Sequence, residues 1–384
     1  MTRRESIGLG VAAMAGAAFP EQKKLRAVVI GHTGRGGYGH NWDLTWNGIG
    51  AVEVVAVADP VDAGRAKAMG RSGAARGYAD YGEMLAKEKP DIVVIAPRRT
   101  DQHMAMFTAA AEAGAHIIIE KPMAGSLPEA DAMVALAEKK RIKVQVGHAA
   151  RAAAVTRRVA EIIKNGEIGQ LLEMRARGKE DKRAGGEDLT ILGSHAFDLM
   201  RLFAGDPRWV SAHVTHQNQE LAREHVRQGT EAVGLLAGDN VAAMFSFDGG
   251  VHGYFASRSN DYLAGDRCGL TLCCSRGVIF INLGSSRSGQ AYILRSPSWI
   301  PNKNAPQWEE IPGPGHEIIG NWDRANNTMA LDLLDAIRSG REPACGVRDG
   351  RWPVEMTAGI YQSQLKGSRV TFPLADRRDP LASL

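Results

Sequence analysis

Residues 25–39 read LRAVVIGHTGRGGYG, an apolar, β-rich run that passes straight into a turn with glycine at 31, 34, 36, 37 and 39. The run 26–30 is too short for a helix and reads as a strand. In a dinucleotide fingerprint one glycine makes the tight turn, a second lets backbone approach a pyrophosphate, and a third allows a helix to pack closely. Gly31 and Gly36 fit the first and third roles. Thr33 stands at the second, with Gly34 beside it, and the frame Gly34, Gly36, Gly39 offers another way to open the turn.

The next strand, 52–58 (VEVVAVA), ends in Asp59. A carboxylate at that strand tip accepts hydrogen bonds from a ribose 2′-hydroxyl and repels a 2′-phosphate, which predicts NAD over NADP. Asp59 stands 28 residues beyond Gly31, more than the roughly 20 usual for this contact, so the connection is enlarged; residues 41–50, with Trp42 and Trp46, supply the length. Arg65 lies close enough in sequence to leave dual specificity open.

Alternation continues with a strand at 91–96, a helix at 102–113, a strand at 116–119 running into Glu120, Lys121 and Pro122, a helix at 127–140 and a strand at 144–146. Repeated βα units specify a doubly wound parallel sheet. The pattern then changes to a helix at 153–165, a strand at 171–177, a helix at 187–203 and, beyond 208, alternating strands with hairpin signals at Asp239, Asn240 and Asp248, Gly249. Helices at 327–338 and 354–365 end near Gly340 and Gly367. The expected architecture is α/β: an N-terminal Rossmann domain over 21–146 and a C-terminal α+β domain over 147–384, with a mainly antiparallel open sheet and helices on one face.

Apolar residues at 44% and charged residues at 23% are ordinary for a globular chain, and the net charge of +4 is dispersed, so nucleic acid is not an expected partner. Arg3 and Arg4 precede an apolar run at 7–18 and the small residues Ala15, Gly16 and Ala17, a secretory pattern of the twin-arginine type over 1–20, although Ser6 departs from it. That run of about 12 residues falls short of the ~20 needed to span a bilayer. Periplasmic export without stable membrane insertion is expected, an uncleaved anchor being the rival. The four cysteines, at 268, 273, 274 and 345, show no metal spacing, and no metal is expected. Cys273 and Cys274 sit in one strand, one facing inward and the other outward.

The order of Gly31 to Gly36, Asp59, Glu120-Lys121-Pro122, a Gly-x-His helix at Gly193 to His195 and the closing DLLDAIRSGREP at 332–343 resembles the glucose-fructose oxidoreductase, inositol dehydrogenase and MocA family over nearly everything after residue 24. The resemblance implies that Lys121 lies beside a nicotinamide and hydrogen-bonds a sugar hydroxyl, with burial lowering its pKa into a range useful for proton transfer. His195 is the second catalytic candidate. Asp188, Ile191, His195 and Asp198 follow the spacing that shares one helix face. Members of the family often carry an aspartate four residues before the histidine; here Ile191 stands there, so either Asp188 takes over through a water, or Lys121 and His195 act without a carboxylate, or the chemistry differs.

The cofactor set is then Gly31, Thr33, Gly34, Arg35, Gly36, Asp59, Pro97, Glu120 and Lys121. Substrate candidates are Arg177, Lys179, Asp198 and His148, with Glu180, Asp181 and Arg183 in the same mixed-charge run and His103 as a further candidate for the cleft wall. The expected activity is NAD-dependent oxidation and reduction of a carbohydrate or polyol. Export would require a bound, internally recycled cofactor. An NAD-dependent glycoside hydrolase and a non-catalytic cofactor-binding protein are the alternatives. A homo-oligomer is expected because an open sheet face needs covering.

Overall fold

Valine- and isoleucine-rich runs without polar alternation can be strands only where both sheet faces are covered. A computed structural model describes residues 23–259, 267–284, 290–301, 306–312, 322–382 and 384, and in it these runs form the centre of the first domain. Its elements are β1 (Leu25–Ile30), β2 (Val52–Ala58), α1 (Asp62–Ser72), β3 (Arg76–Tyr78), α2 (Tyr81–Glu88), β4 (Ile92–Ile95), α3 (His103–Glu112), β5 (His116–Ile119), α4 (Leu127–Lys140) and β6 (Val144–Val146). All pairings are parallel and the order is β3-β2-β1-β4-β5-β6. The strand order reverses between β1 and β4, the point beyond whose carboxyl ends ligands bind in this architecture.

The enlarged connection between β1 and β2 is a loop. The glycine turn does not open into a helix: the chain from 31 to 51 is a series of turns with a single 3₁₀ turn at Trp42–Leu44. Gly34, Gly36, Gly37, Gly39 and Asn41 all have positive φ, and consecutive left-handed residues cannot continue a right-handed helix. Trp42 and Trp46, 1% and 3% exposed, anchor the excursion in the core instead.

The second domain comprises α5 (Ala149–Ala152), α6 (Ala154–Lys164), β7 (Leu171–Arg177), α7 (Gly186–Ile191), α8 (Gly193–Ala204), β8 (Trp209–His216), β9 (Gln219–Glu220), β10 (Arg227–Gln228), β11 (Leu235–Leu236), β12 (Asn240–Ser246), β13 (His252–Arg258), β14 (Gly269–Cys274), β15 (Gly277–Asn282), β16 (Ala291–Leu294), β17 (Glu309–Glu310), α9 (Trp322–Ser339), α10 (Val347–Lys366) and β18 (Val370–Thr371). Among the described residues its main sheet runs β17-β16-β15-β14-β7-β13-β12-β8-β18, with β9 beside β8. Only the β7–β13 pair in it is parallel. Asp248 and Gly249 turn β12 into β13. Asp239 makes no tight hairpin; it directly precedes β12, its amide donating to the Thr215 carbonyl at 3.0 Å across the long connection from β8.

The C-terminal segment returns to the first domain. Met329, Ala330, Leu333 and Leu334 of α9 join the core around the parallel sheet, and the amide of Val146 donates to the carbonyl of Cys345 at 2.9 Å. Gly340 and Gly367 take positive φ where α9 and α10 end. Cys273 and Cys274 are both buried, so the outward position of that strand is covered as well; the Trp299 indole donates to the Cys274 carbonyl at 2.7 Å beside them. The described cysteines are unpaired. No described helix is long and apolar enough to cross a membrane, and the leader expected over 1–20 lies outside the described residues.

Candidate active site

The chain leaves β5 through Glu120, which is 1% exposed. Its carboxylate accepts from His40 Nδ1 at 2.9 Å and from the Trp42 indole. Burial opposes its charge, but His40, Lys121 and Trp42 together hold its pKa below the ordinary carboxylate range. This anchored acid fixes the start of the next residue, Lys121, whose side chain enters a cavity of about 240 Å³ between the two domains. His40, Arg98, Lys179, Arg183, Ile191, His195 and Glu231 share that cavity. Lys121 and His195, from different domains, therefore face one space.

Desolvation lowers the Lys121 pKa, Arg98 and Arg183 push it the same way, and Glu120 and Glu231 oppose them. His195 is likewise pushed well below the ordinary imidazole range by burial and by Lys121, His148 and His40. Both groups are thus held toward their unprotonated, proton-accepting forms. Lys121 Nζ donates to the carbonyl of Ile191 at 3.3 Å.

The expected polar stripe on one helix does not form, because the chain breaks at Leu192 into α7 and α8 and each acid finds its own partners. Asp188 is buried away from the cavity lining, where its Oδ2 accepts from the Glu180 amide at 3.0 Å and from Ser257 Oγ at 2.7 Å; burial raises its pKa. A Cβ on Gly178 would lie 2.0 Å from that oxygen, so close packing and two hydrogen bonds engage Oδ2, while Oδ1 is buried with no hydrogen-bond partner among the described residues. Asp198 turns to Arg151, which donates to both its carboxylate oxygens at 2.7–3.0 Å. Ile191 lines the cavity.

Of the other candidates, Lys179 and Arg183 line the cavity, held by Asp181 at 3.6 and 2.6 Å. Arg177 does not. It pairs with Glu180 at 2.8 Å and borders the open face of the sheet. His148 is fully buried beside His195, ring centroids 5.6 Å apart and nearly perpendicular. His103 is a core histidine bonded to the carbonyls of Pro97 at 2.7 Å and Met123 at 3.1 Å, so it is not a cleft residue and the Pro97 carbonyl is already engaged.

A second cleft of about 510 Å³, lined by Gly34, Gly36, Gly37, Tyr38, Gly39, Arg98, Arg99 and Glu231, shares Arg98 and Glu231 with the first. At Gly36, φ is +93° and a Cβ would stand 2.5 Å from the Arg98 amide nitrogen; no side chain fits. Gly34 and Gly37 have nothing within 4 Å of an added Cβ. A glycine-rich wall facing Arg98 and Arg99, beside the cavity that holds Lys121, suits the diphosphate and nicotinamide half of a dinucleotide. Gly31 serves differently: a Cβ there would strike the Tyr38 ring at 2.2 Å.

At the far end Asp59 is 0% exposed. Its oxygens accept from the Thr33 amide and Oγ1 at 3.0 and 2.8 Å and from the Val61 amide at 2.9 Å. The carboxylate thus orders the turn in this conformation, and a ribose would reach it only if Thr33 moved. Arg35 is paired with Asp101 on the outside of the turn. Sequence reading passed over His40, Arg98 and Glu231. Arg98 follows β4 at the strand-order reversal and was findable by that rule; His40 closes the glycine turn; Glu231 comes from an aperiodic connection that carries no signal.

Comparison with known proteins now places the chain. Residues 25–148 match the GFO_IDH_MocA model, described as an oxidoreductase family with an NAD-binding Rossmann fold, and residues 156–280 match the GFO/IDH/MocA C-terminal domain. The chain belongs to the GFO/IDH/MocA oxidoreductase family. It is similar to D-apiose dehydrogenase of Paraburkholderia graminis, 30% identical over 53% of this chain and 56% of that one, and to levoglucosan dehydrogenase of Pseudarthrobacter phenanthrenivorans, 27% identical over 54% and 59%. The chain spans about half the length of the relatives it matches by sequence. A solved levoglucosan dehydrogenase in complex with NADH and levoglucosan superimposes with a TM-score of 0.72, at 22% identity, over 91% of this chain and all of that one. At that identity the likeness shows the fold. A D-xylose 1-dehydrogenase named for NADP(+), from Haloferax volcanii, is also similar, at 28% identity over 42% of this chain and 53% of that one.

Proposed function

We propose that this protein is an NAD-dependent oxidoreductase of a carbohydrate or polyol hydroxyl. The observation that carries this reading is the shared cavity of Lys121 and His195, which has Arg98 and Glu231 in common with the adjacent glycine-lined groove. NAD, when bound, supplies the hydride acceptor. His195 takes the hydroxyl proton, Lys121 holds the hydroxyl oxygen, and Lys179, Arg183 and Glu231 offer hydrogen-bond partners for neighbouring hydroxyls. Burial of the amine and the imidazole keeps water from competing for the proton.

NAD is favoured over NADP because the tip of β2 presents acids: Asp62 is exposed, and Arg65 is engaged by Asp62 at 2.5 Å and by the Asp59 carbonyl at 2.6 Å. The arginine pair in the leader supports export, and an exported enzyme would keep its cofactor bound through a closed redox cycle. The open sheet face, with Tyr254, Thr271 and Phe280 around a shallow depression, supports self-association, which light scattering would read directly. The functional test is turnover of a panel of sugars and polyols with NAD and NADP separately. NAD-linked oxidation of at least one, lost in Lys121→Ala and His195→Ala, is expected; failure of every substrate with both cofactors contradicts the reading.

A further inference from the structure

The family pairing of an aspartate with the histidine is absent here, since Ile191 is apolar and Asp188 is engaged elsewhere. Something else must set the tautomer of His195, because a neutral imidazole is a base at one nitrogen only. Two observations point to what does. His195 Nδ1 and His148 Nε2 are both buried, and neither has a hydrogen-bond partner among the described residues. The two rings are in edge contact, with centroids 5.6 Å apart at 87°.

Behind His148 the contacts continue in one direction. His148 Nδ1 lies 3.6 Å from Cys345 Sγ, and Cys345 Sγ donates to Asp198 Oδ1 at 3.7 Å. His148, Cys345 and Asp198 are all 0% exposed. Asp198 is a fixed acceptor, since Arg151 grips both its oxygens. The thiol keeps its proton, because burial and the neighbouring Asp198 push its pKa well up. A thiol with one proton gives it to the carboxylate, and its sulfur is left to accept from His148 Nδ1. His148 Nε2 is then an acceptor facing His195.

These three side chains also offer ligand-type atoms within 4.8 Å of one another. A bound cation would face the Arg151 guanidinium and compete with it for Asp198, so the proton chain accounts for the cluster better than a metal does.

Resting on the oxidoreductase reading above, we propose that His148 is a positioning residue: His195 Nδ1–H donates to His148 Nε2, His148 Nδ1–H to Cys345 Sγ, and Cys345 Sγ–H to Asp198 Oδ1, leaving His195 Nε2 bare toward the cavity as the base for the substrate hydroxyl. The ring gap closes in the ligand-bound state, as catalytic hydrogen bonds commonly do. The hydroxyl proton ends on His195 Nε2 as the carbinol carbon gives up its hydride, and the new imidazolium is stabilised through its Nδ1–H. The charged and titratable groups facing this pair are Lys121, His40 and Glu120 from the first domain and Arg151, Asp198 and Cys345 from the other side.

Two measurements test it. His148→Phe keeps a ring but no acceptor, whereas His148→Gln places a carbonyl oxygen where Nε2 stood. We expect His148→Phe to lower kcat roughly tenfold to hundredfold, with KM nearly unchanged and the acid limb of the pH profile displaced, and His148→Gln to recover most of that loss. Equal losses in both variants with an unmoved acid limb, or no loss in His148→Phe, would overturn the proposal. Nitrogen NMR of the wild-type imidazoles with NAD bound needs neither turnover nor variant: protonated Nδ1 and bare Nε2 at both His148 and His195 are expected, and Nε2–H at His195 overturns it. Absence of any NAD-linked turnover would instead remove the oxidoreductase reading, and the NMR result would still decide the hydrogen-bond chain.

Discussion

Lys121 Nζ donates to the carbonyl oxygen of Ile191 at 3.3 Å, joining the second residue after β5 to the last residue of α7 across the domain boundary. That contact holds the amine in the cavity, and no carboxylate among the described residues lies in hydrogen-bond reach of it. Lys121→Ala and Lys121→Arg should therefore both fail, the first by losing the hydroxyl contact and the second by fixing a charge where a titrating amine stood. A loss of about 10²- to 10⁴-fold in kcat is expected for each, with cofactor affinity retained, as read by steady-state kinetics beside calorimetry.

The acid limb of activity follows from the same burial. Oxidation needs His195 unprotonated, so kcat/KM falls as pH falls through its pKa. Desolvation first, then Lys121, His148 and His40, hold that pKa well below the ordinary imidazole range. The plateau should consequently extend to pH values at which an exposed histidine is already charged. An acid limb at the ordinary imidazole position, measured under substrate-limited conditions, would contradict this.

Ile191→Asp restores a carboxylate where relatives of this family carry one and places it on the wall that also holds Lys121 and His195. A nearby negative charge stabilises both cations, raising both pKa values. The acid limb of kcat/KM should move upward in pH, by about one unit or more at partly buried separations. An unmoved or lowered limb would show that residue 191 does not face the pair.

Gly36→Ala tests the groove. Its Cβ would stand 2.5 Å from the Arg98 amide nitrogen at φ +93°, so either the turn or the segment after β4 must shift. We expect the affinity for NAD to fall at least about tenfold, roughly 1.4 kcal/mol, while Gly34→Ala, which meets nothing within 4 Å, acts mainly through its left-handed φ and by obstructing the groove. Titration of both variants with NAD, with thermal melts alongside, separates binding from folding.

Arg151→Met would leave Asp198 buried without its cation. Removing one partner of a buried ion pair typically costs about 3–5 kcal/mol, and a fall of that order in unfolding free energy, measured by denaturant titration, is expected. A change within experimental error would mean that Asp198 is protonated or solvated in solution.

Much of this was legible in the sequence because the signals are local. The valine- and isoleucine-rich runs at 52–58 and 116–119 read as buried strands, and both came out within a residue of their bounds. Lys121 was legible through the resemblance that Glu120-Lys121-Pro122 helps to carry; the triplet alone reads equally well as a strand end with an exposed ion pair and a turn proline. What the sequence did not disclose depends on tertiary partners. Helical spacing put Asp188 and Asp198 on the His195 face, but the break at Leu192 rotates α7 away, and Ser257 and Arg151, distant in sequence, claim the two acids. Asp59 was read as a free strand-tip acid; Thr33 covers it. Glu231 arrives on a connection with no periodicity, and the return of α9 to the first core follows from packing that no local pattern announces.

The central claim is that an amine and an imidazole from different domains serve one hydride-transfer site, and the most direct measurement is isotope transfer. A carbohydrate or polyol deuterated at its carbinol carbons is mixed with the protein and NAD, and the cofactor is then analysed by mass spectrometry. Deuterium in the nicotinamide with the wild type, and none with the Lys121→Ala, His195→Ala double variant that still binds NAD, is the expected result. Equal label with both proteins would contradict the account.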